Sequence, residues 1–445
     1  MSTSQGALEL EPEGWYRSVE ASSANSIDAE VTGLGERPPN RGAGRFGGDG
    51  PGCDHRAVST MITPLHEGSA GMAVAVKDLL DWEGVPTTAG SRAVARRAGP
   101  ATRDAECLGG LRAAVRAGTA RMVGKTNLHE LAAGATGVNS WFGTPVNPVD
   151  PTLVPGGSSS GSAVSVATGV ADVAFGTDTA GSVRIPSACC ATVGLKTTWG
   201  RVPLAGVWPL ARSLDTVGPM ARDVAGVVAG MSLLEAGFTP APAAPEGIGR
   251  VRLAGTDPEV DAALDAALAA TGLPLSEVRL PGWARAGDAT LMVVLLEAWE
   301  ADRHLLSEPD GIDPRIVAML TLGGALPPSE MTSATAELDG WRRELDRAVG
   351  RAGGILAMPT LLGPPPRLDE PDDGRLLLAT APVNGAGFPA LSLPVPGVSR
   401  ASGPAWTPGL QLVAGAGGEE LLCAAGAVVE QAVGGAGRPV ARWER

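Results

Sequence analysis

No apolar run in this chain reaches the ~18–20 residues of a membrane span, so no membrane-crossing helix is expected and no membrane is expected as a partner. Positive charge is also in short supply. The 35 Lys and Arg against 48 Asp and Glu leave a net charge of −13, which argues against nucleic acid or an acidic membrane surface as the main partner. Cysteine is sparse and odd in number: Cys53, Cys107, Cys189, Cys190 and Cys423. None has metal-ligand spacing, so the reading is a reduced, cytoplasmic protein with no metal and no cofactor. The adjacent Cys189 and Cys190 read as helix packing rather than redox chemistry. The first residues, MSTSQGALELEPEG, lack the basic-then-apolar layout of a secretory signal. Aromatics amount to 4%, and histidine occurs four times.

What is present is length, glycine and small apolar residues. A chain of 445 residues holds two or three average domains or one large α/β domain with insertions. The 62 Gly and 37 Pro imply many tight turns. Residues 1–65 read as a weakly structured lead-in, with a short helix at 11–22 and a Gly/Pro/Arg-rich loop at 33–52. From residue 71 strands and helices alternate: a strand at 72–76 ending at Lys77, a helix over 106–117, a strand at 120–123, and a second helix running from Asn127 through Leu131. A helix over 160–168, a strand at 172–176, a helix over 184–191, a loop at 213–219 and a helix over 223–234 follow. A Pro/Ala linker at 239–249 opens a mostly helical insert, 240–350. It begins with a strand at 252–254, an amphipathic helix over 258–271 and a strand at 275–280, and it is broken at Pro327 and Pro328. Strands return at 354–360, 390–394 and 410–413, and a helix over 419–433 closes the pattern. The alternation predicts a single large α/β domain over 66–445, with core segments 71–234 and 354–433.

The chain's most unusual stretch is 156–196. Two glycine-flanked serine clusters, Ser158–Ser159–Ser160 and Ser182, bracket one helix-length segment. Small residues let backbone N–H groups converge, the geometry that a phosphate or an anionic intermediate needs. A phosphate loop requires G-x-x-x-x-G-K-[ST], which does not occur. Residues 157–161 match G-x-S-x-G with Ser159 as nucleophile, but that chemistry needs a late histidine, and of His55, His66, His129 and His304 one alone follows, in a helical region. A solvated Gly/Ser loop without chemistry is the plainest reading of the run by itself. A serine without histidine needs another base, and a lysine serves if burial holds it neutral. Lys77 ends an apolar strand, where it is buried, and strand alternation points its neighbour Asp78 the other way.

On wider comparison of motifs, the sequence resembles the amidase signature enzymes. The matching runs are AVKD at 75–78, GKTN at 124–127, PGGSSSGSA at 155–163, GTDTAGSVR at 176–184, GLK at 194–196 and SLDTVGP at 213–219. Later come PT at 359–360, Asn384 with Gly387, PALSLP at 389–394 and GLQL at 409–412. Ser158 and Ser182 stand 24 positions apart, the spacing expected of that family's serine pair. The resemblance implies a mixed twisted sheet flanked by helices on both faces. It further implies Ser182 as acyl-enzyme nucleophile, Ser158 as bridging serine, in a cis peptide, and Lys77 as base. Backbone N–H groups of Thr179, Ala180, Gly181 and Ser182 would form the oxyanion hole.

Supporting positions keep two readings each. Asp178 and Arg184 either hydrogen-bond the loop that shapes the nucleophile or form a local ion pair. Asn127 reads as a helix N-terminal residue, and Lys125 and Lys196 as structural. Trp141, Phe142 and Trp208 either wall a pocket or belong to the core, and Ser159 and Ser160 satisfy turn hydrogen bonds. The chain departs from the family pattern before Lys77 (EGSAGM at 67–72), after the nucleophile (SACCAT at 187–192) and at Thr197–Thr198. The expected activity is hydrolysis of a small or medium acyl amide, a small-molecule substrate. The alternatives are transfer of the amide nitrogen or acyl group, with a partner protein, and a catalytically silent scaffold. A homodimer is compatible with this reading.

Overall fold

The computed structural model describes residues 59–397 and 406–434. The helix expected at 11–22 and the loop at 33–52 lie outside them. One sheet of eleven strands organises everything described. In chain order the strands are β1 (Met61–Glu67), β2 (Met72–Lys77), β3 (Ala120–Thr126), β4 (Val173–Thr177), β5 (Val193–Lys196), β6 (Val217–Ala221), β7 (Gly247–Val251), β8 (Leu275–Val278), β9 (Gly354–Pro359), β10 (Ala390–Pro394) and β11 (Gly409–Ala414). Across the sheet they run β1-β3-β2-β4-β6-β5-β10-β11-β9-β7-β8. β2 is parallel to both its neighbours, as is β7; the remaining pairs are antiparallel. The sheet is mixed, as the β–α alternation implies.

Pleating decides which helix covers which residues. Val74, Val76, Val173 and Phe175 point into the main core, which also holds Val227 and Met231 of the helix Val224–Leu234. Ala75 and Ala174, one residue out of phase, pack against Val166 of the helix Ser160–Ala167 on the opposite face. That second helix is buried along nearly its whole length, which its Ser, Gly, Ala and Val side chains permit. It also lies close to the strands. Ser162 Oγ donates to Phe175 O at 3.1 Å, and Gly161 N–H donates to Asn127 O at 2.9 Å. A Cβ at Gly161 would fall 2.4 Å from Thr60 O.

Four segments differ from the sequence reading. The lead-in expected through residue 65 ends earlier, because Met61–Glu67 pairs with β3 as the sheet's edge strand. The loop expected at 213–219 turns at Val217 into β6, where Pro219 sits opposite Phe175. The helix expected from Asn127 through Leu131 does not form. Leu131 and Ala132 take φ of 54° and 59°, left-handed values, in a short 3-10 turn whose Leu131 N–H is held by Ala89 O at 2.8 Å. The insert keeps its helices, Pro258–Ala270, Trp283–Asp302, Pro314–Ala325 and Ser329–Arg351; its strand expected at 275–280 forms as β8, and the one expected at 252–254 forms earlier, as β7, starting within the stretch expected to be a linker. Among the described residues no helix is long and apolar enough to cross a membrane.

Candidate active site

Lys77 closes β2 on the face that carries Ala75, beneath the helix Ser160–Ala167. Its side chain is fully buried, and Nζ lies 2.7 Å from Ser158 Oγ and 2.9 Å from Thr177 Oγ1. Both partners are hydroxyls. Among the described residues no carboxylate comes within ion-pair distance of it. Burial brings the Lys77 ammonium down from 10.5 to about 7, although the charges of Asp178 and Asp215 pull upward. A neutral amine with a lone pair toward a serine hydroxyl is a proton acceptor. The Gly157–Ser158 peptide is cis, and His129 N–H donates to Ser158 O at 3.0 Å.

The second serine turn closes on the first. Ser159 N–H donates to Ser182 O at 3.3 Å, which sets Ser182 beside the Lys77–Ser158 pair; Ser182 is 6% exposed. Asp178 organises this turn from below. Its carboxylate accepts from the N–H groups of Gly181 (2.9 Å), Val183 (3.1 Å) and Arg184 (3.4 Å), and from Arg184 Nε and Nη2 at 3.0 and 2.9 Å. Burial alone would raise its pKa, but the Arg184 guanidinium, with Lys196 and Asn384, holds it well below the usual carboxylate range. Arg184 in turn donates to Gln411 Oε1 (2.6 Å), Thr380 O (3.1 Å) and Asn384 Oδ1. The two readings of Asp178 and Arg184 are therefore both true: they are an ion pair, and that pair shapes the loop.

The same bonds sort the N–H groups of the turn. Gly181 does not offer a free one, contrary to the sequence reading, because Asp178 takes it. Among the described residues, Thr179, Ala180 and Ser182 have N–H groups without a protein acceptor. Gly181 matters for another reason. Its φ is +137°, and a Cβ there would sit 2.2 Å from Thr380 Oγ1, which donates to Ala180 O at 2.6 Å.

Two other buried lysines serve as internal controls. Lys125 Nζ sits 2.7 Å from Asp78 Oδ1, with Thr87 Oγ1 at 2.6 Å. Lys196 Nζ donates to the carbonyls of Thr197 (3.0 Å) and Phe388 (2.8 Å), and burial lowers it to about 7. A carbonyl has no proton to give, so Lys196 has nothing to deprotonate. Lys77 alone of the three meets a serine.

The sequence profile of the amidase family matches residues 61–423. The chain belongs to the amidase signature family. A glutamyl-tRNA(Gln) amidotransferase subunit of Halobacterium salinarum is 34% identical over 415 residues, spanning 81% of this chain and 95% of that protein. A solved structure described as an amidase superposes with a TM-score of 0.74 at 32% identity, over 82% of this chain and 86% of its own. Another, described with the evolutionary origins of an s-triazine catabolic enzyme, gives 0.72 at 29%, over 81% and 84%. Amide C–N bonds are thus the chemistry of this amidase signature enzyme.

Several residues of this amidase signature site carry no signal in the sequence. Thr380 is a single polar residue outside every matching run, with no spacing to mark it, and Thr177 and Asp215 stand inside matching runs without a role of their own. Asn384 and Gln411 stand in the matching motifs without a role; here Asn384 Nδ2 donates to Asp178 Oδ1 at 2.9 Å. Asn127 is not a helix N-terminal residue. It ties three segments, donating to Ser59 O and Gly143 O at 2.7 Å each and accepting from Leu128 N–H at 2.8 Å. Ser159 Oγ donates to Thr177 O at 3.2 Å, as a turn-satisfying role predicts, but the buried Ser160 Oγ, expected to do the same, finds no partner among the described residues. Trp208 Nε1 donates to Asp302 Oδ1 at 3.2 Å, and Trp141 stacks under Arg92 at 5.5 Å. An open cavity of about 650 Å³ is lined by Trp199, Leu210, Arg212, Ser213, Glu297 and their neighbours.

Proposed function

We propose that this protein hydrolyses a small or medium acyl amide through an acyl-enzyme on Ser182. The observation that carries the reading is the contact of Lys77 Nζ with Ser158 Oγ at 2.7 Å, in a buried site where, among the described residues, no carboxylate comes within ion-pair distance of the lysine. Neutral Lys77 takes the Ser158 proton as Ser158 Oγ takes that of Ser182. The Ser182 alkoxide attacks the amide carbonyl, forming the C–O bond of a tetrahedral intermediate. Its oxyanion is met by N–H groups of Thr179, Ala180 and Ser182, each worth roughly 3 kcal/mol of the barrier. The proton passes back through Ser158 to the leaving nitrogen as the C–N bond breaks. Water, activated by the same relay, then cleaves the ester. Asp178 and Arg184 act through the loop they hold and touch no reacting atom.

The second reading is transfer of the amide nitrogen, and what favours it is the likeness to a glutamyl-tRNA(Gln) amidotransferase component over 81% of this chain. Acylation is common to both readings; they part at the fate of the nitrogen, and transfer calls for a partner protein. Intact-mass analysis after a fluorophosphonate tests the shared step. One adduct is expected on the wild type and none on Ser182→Ala, and adducts on both would sink the serine assignment. A panel of primary amides including glutamine, anilides, ureas, carbamates and cyclic amides then separates the readings. Free ammonia or amine from the isolated chain supports hydrolysis, whereas glutamine turnover that needs a co-purified partner supports transfer.

A further inference from the structure

Asp215 is a buried carboxylate, 5% exposed, in the loop before β6. It accepts from Thr179 Oγ1 at 2.6 Å and from the N–H groups of Leu210 (3.1 Å) and Ala211 (3.2 Å). Among the described residues no cation lies within ion-pair distance of it. Asp178, by contrast, is neutralised by Arg184. Three donors from two loops therefore converge on an unneutralised charge, and one of them belongs to Thr179, whose own N–H has no protein acceptor among the described residues. The loop is doubly stitched there, because Thr216 Oγ1 and N–H donate to Asp178 O at 2.8 and 3.2 Å. Leu210 also lines the 650 Å³ cavity, so this carboxylate fastens a cavity wall and the nucleophile turn to one point.

We propose that Asp215 is a positioning residue of the amidase reaction: through Thr179 Oγ1 it fixes the N–H groups that receive the oxyanion, and its charge sets how readily Lys77 holds a proton. This rests on the serine–lysine reading above. Positioning follows from geometry, since an oxyanion donor works at 2.7–3.1 Å from where the oxygen will be and a turn free to rotate loses that aim. The electrostatic part follows from sign. A negative charge near Lys77 favours its ammonium, and Asp178 and Asp215 are the two charges that do so. Of these, the Asp178 charge is shared with Arg184. The other groups in the same field are Glu297 and Asp302, which face Asp215, Lys196 beside Asp178, Glu130 near Asp302, and His129 near Lys77. Burial pushes the Asp215 carboxyl itself up to about 6, against the hydrogen bonds from Thr179, Ala211 and Leu210 that favour its charge.

The test is the rate of Ser182 labelling by a fluorophosphonate, followed by intact mass from pH 5 to 10, which needs no known substrate. Thr179→Val removes the donor and is expected to label about 10- to 100-fold more slowly on the plateau, with Thr179→Ser restored to within about threefold of wild type. Asp215→Asn removes the charge, and its acid limb is expected to move to lower pH by about half a unit or more, because Lys77 then loses its proton more easily. A residue with a merely structural role would depress the plateau and leave the limb in place. Thr179→Val labelling at the wild-type rate, or an Asp215→Asn limb that does not move, overturns the proposal. Should Asp215→Asn fail to fold, the Thr179 pair decides alone. If Ser182→Ala is itself labelled, the serine–lysine reading has failed; if it is inert while the Thr179 and Asp215 variants match wild type, the failure belongs to this proposal.

Discussion

Lys77 and Lys125 occupy adjacent parallel strands, one residue out of register: Lys125 pairs with Val76, and Lys77 with Thr126. The pleat therefore sends them to opposite faces of one sheet. Both are fully buried, and burial lowers both. On one face the lysine meets Asp78, whose carboxylate is further held by Thr88 N–H at 3.0 Å, and a closed ion pair results. On the other it meets two hydroxyls, and in the proposed mechanism it is the base. Asp78 follows Lys77 directly in sequence, yet it serves the other face, as the alternation implies. Burial is common to the two sites; the partner, a carboxylate on one face and a serine on the other, is what separates them.

Exchanging each lysine for methionine should break the comparison most visibly in activity. Lys77→Met is expected to slow fluorophosphonate labelling of Ser182 at least about 10³-fold, as removal of a catalytic base does. Lys125→Met, once folded, should label with an unmoved pH limb. In stability the signs should reverse. Lys125→Met strands Asp78 in the core and should cost about 3–5 kcal/mol in chemical denaturation, and replacing both Lys125 and Asp78 with apolar residues should recover most of it. Lys77→Met removes an amine held at about 7 rather than 10.5, a gain of up to about 4 kcal/mol at neutral pH. A loss of similar size there would overturn the claim that Lys77 is kept neutral at a cost.

The pH dependence sharpens the same contrast. Between about 7 and 10.5 the unfolded chain holds a proton on Lys77 that the folded chain does not, so this group's contribution to stability rises with pH across that window. Below about 7 the cost is complete. The labelling rate should follow the neutral amine, falling about tenfold per pH unit below a midpoint near 7. A midpoint near 10 would show Lys77 to be an ordinary ammonium. The smallest effect is expected at Cys189 and Cys190. Both are buried free thiols, and burial raises both. Iodoacetamide on the folded enzyme should leave them, and the labelling rate, unchanged.

The strands and helices with clear periodicity are legible in the sequence. The helix Pro258–Ala270 and the strand Ala390–Pro394 fall within a residue of where the pattern puts them. The Lys77–Ser158 contact is legible too, because motifs far apart in sequence carry it together. What escapes has a common cause in tertiary bonding. The stretch 128–132 has helical composition, but Leu131 is pulled to Ala89 O, and Asn139 Nδ2 claims Leu128 O at 2.8 Å. In β6 a Gly-Pro pair reads as a turn, yet Pro219 needs no donor where it lies and the strand continues through it. Sequence order alone gives Gly181 an open N–H. Its carboxylate partner lies three residues back and reaches it because Asp178 turns inward toward Arg184.

The closeness of the two serine turns also bears on what can be changed by laboratory evolution. A Cβ at Gly157 would fall 2.6 Å from Gly137 N, one at Gly137 would fall 2.4 Å from Gly156 O, and one at Gly156 would fall 2.8 Å from Pro186 Cα. Libraries that randomise these positions should return glycine, since backbone meets backbone and no rotamer relieves it. New substrate preference will have to be selected elsewhere. The surfaces with room are those around Trp199, Arg212 and Glu300, where side chains border open space and none of the three relay residues is among the lining.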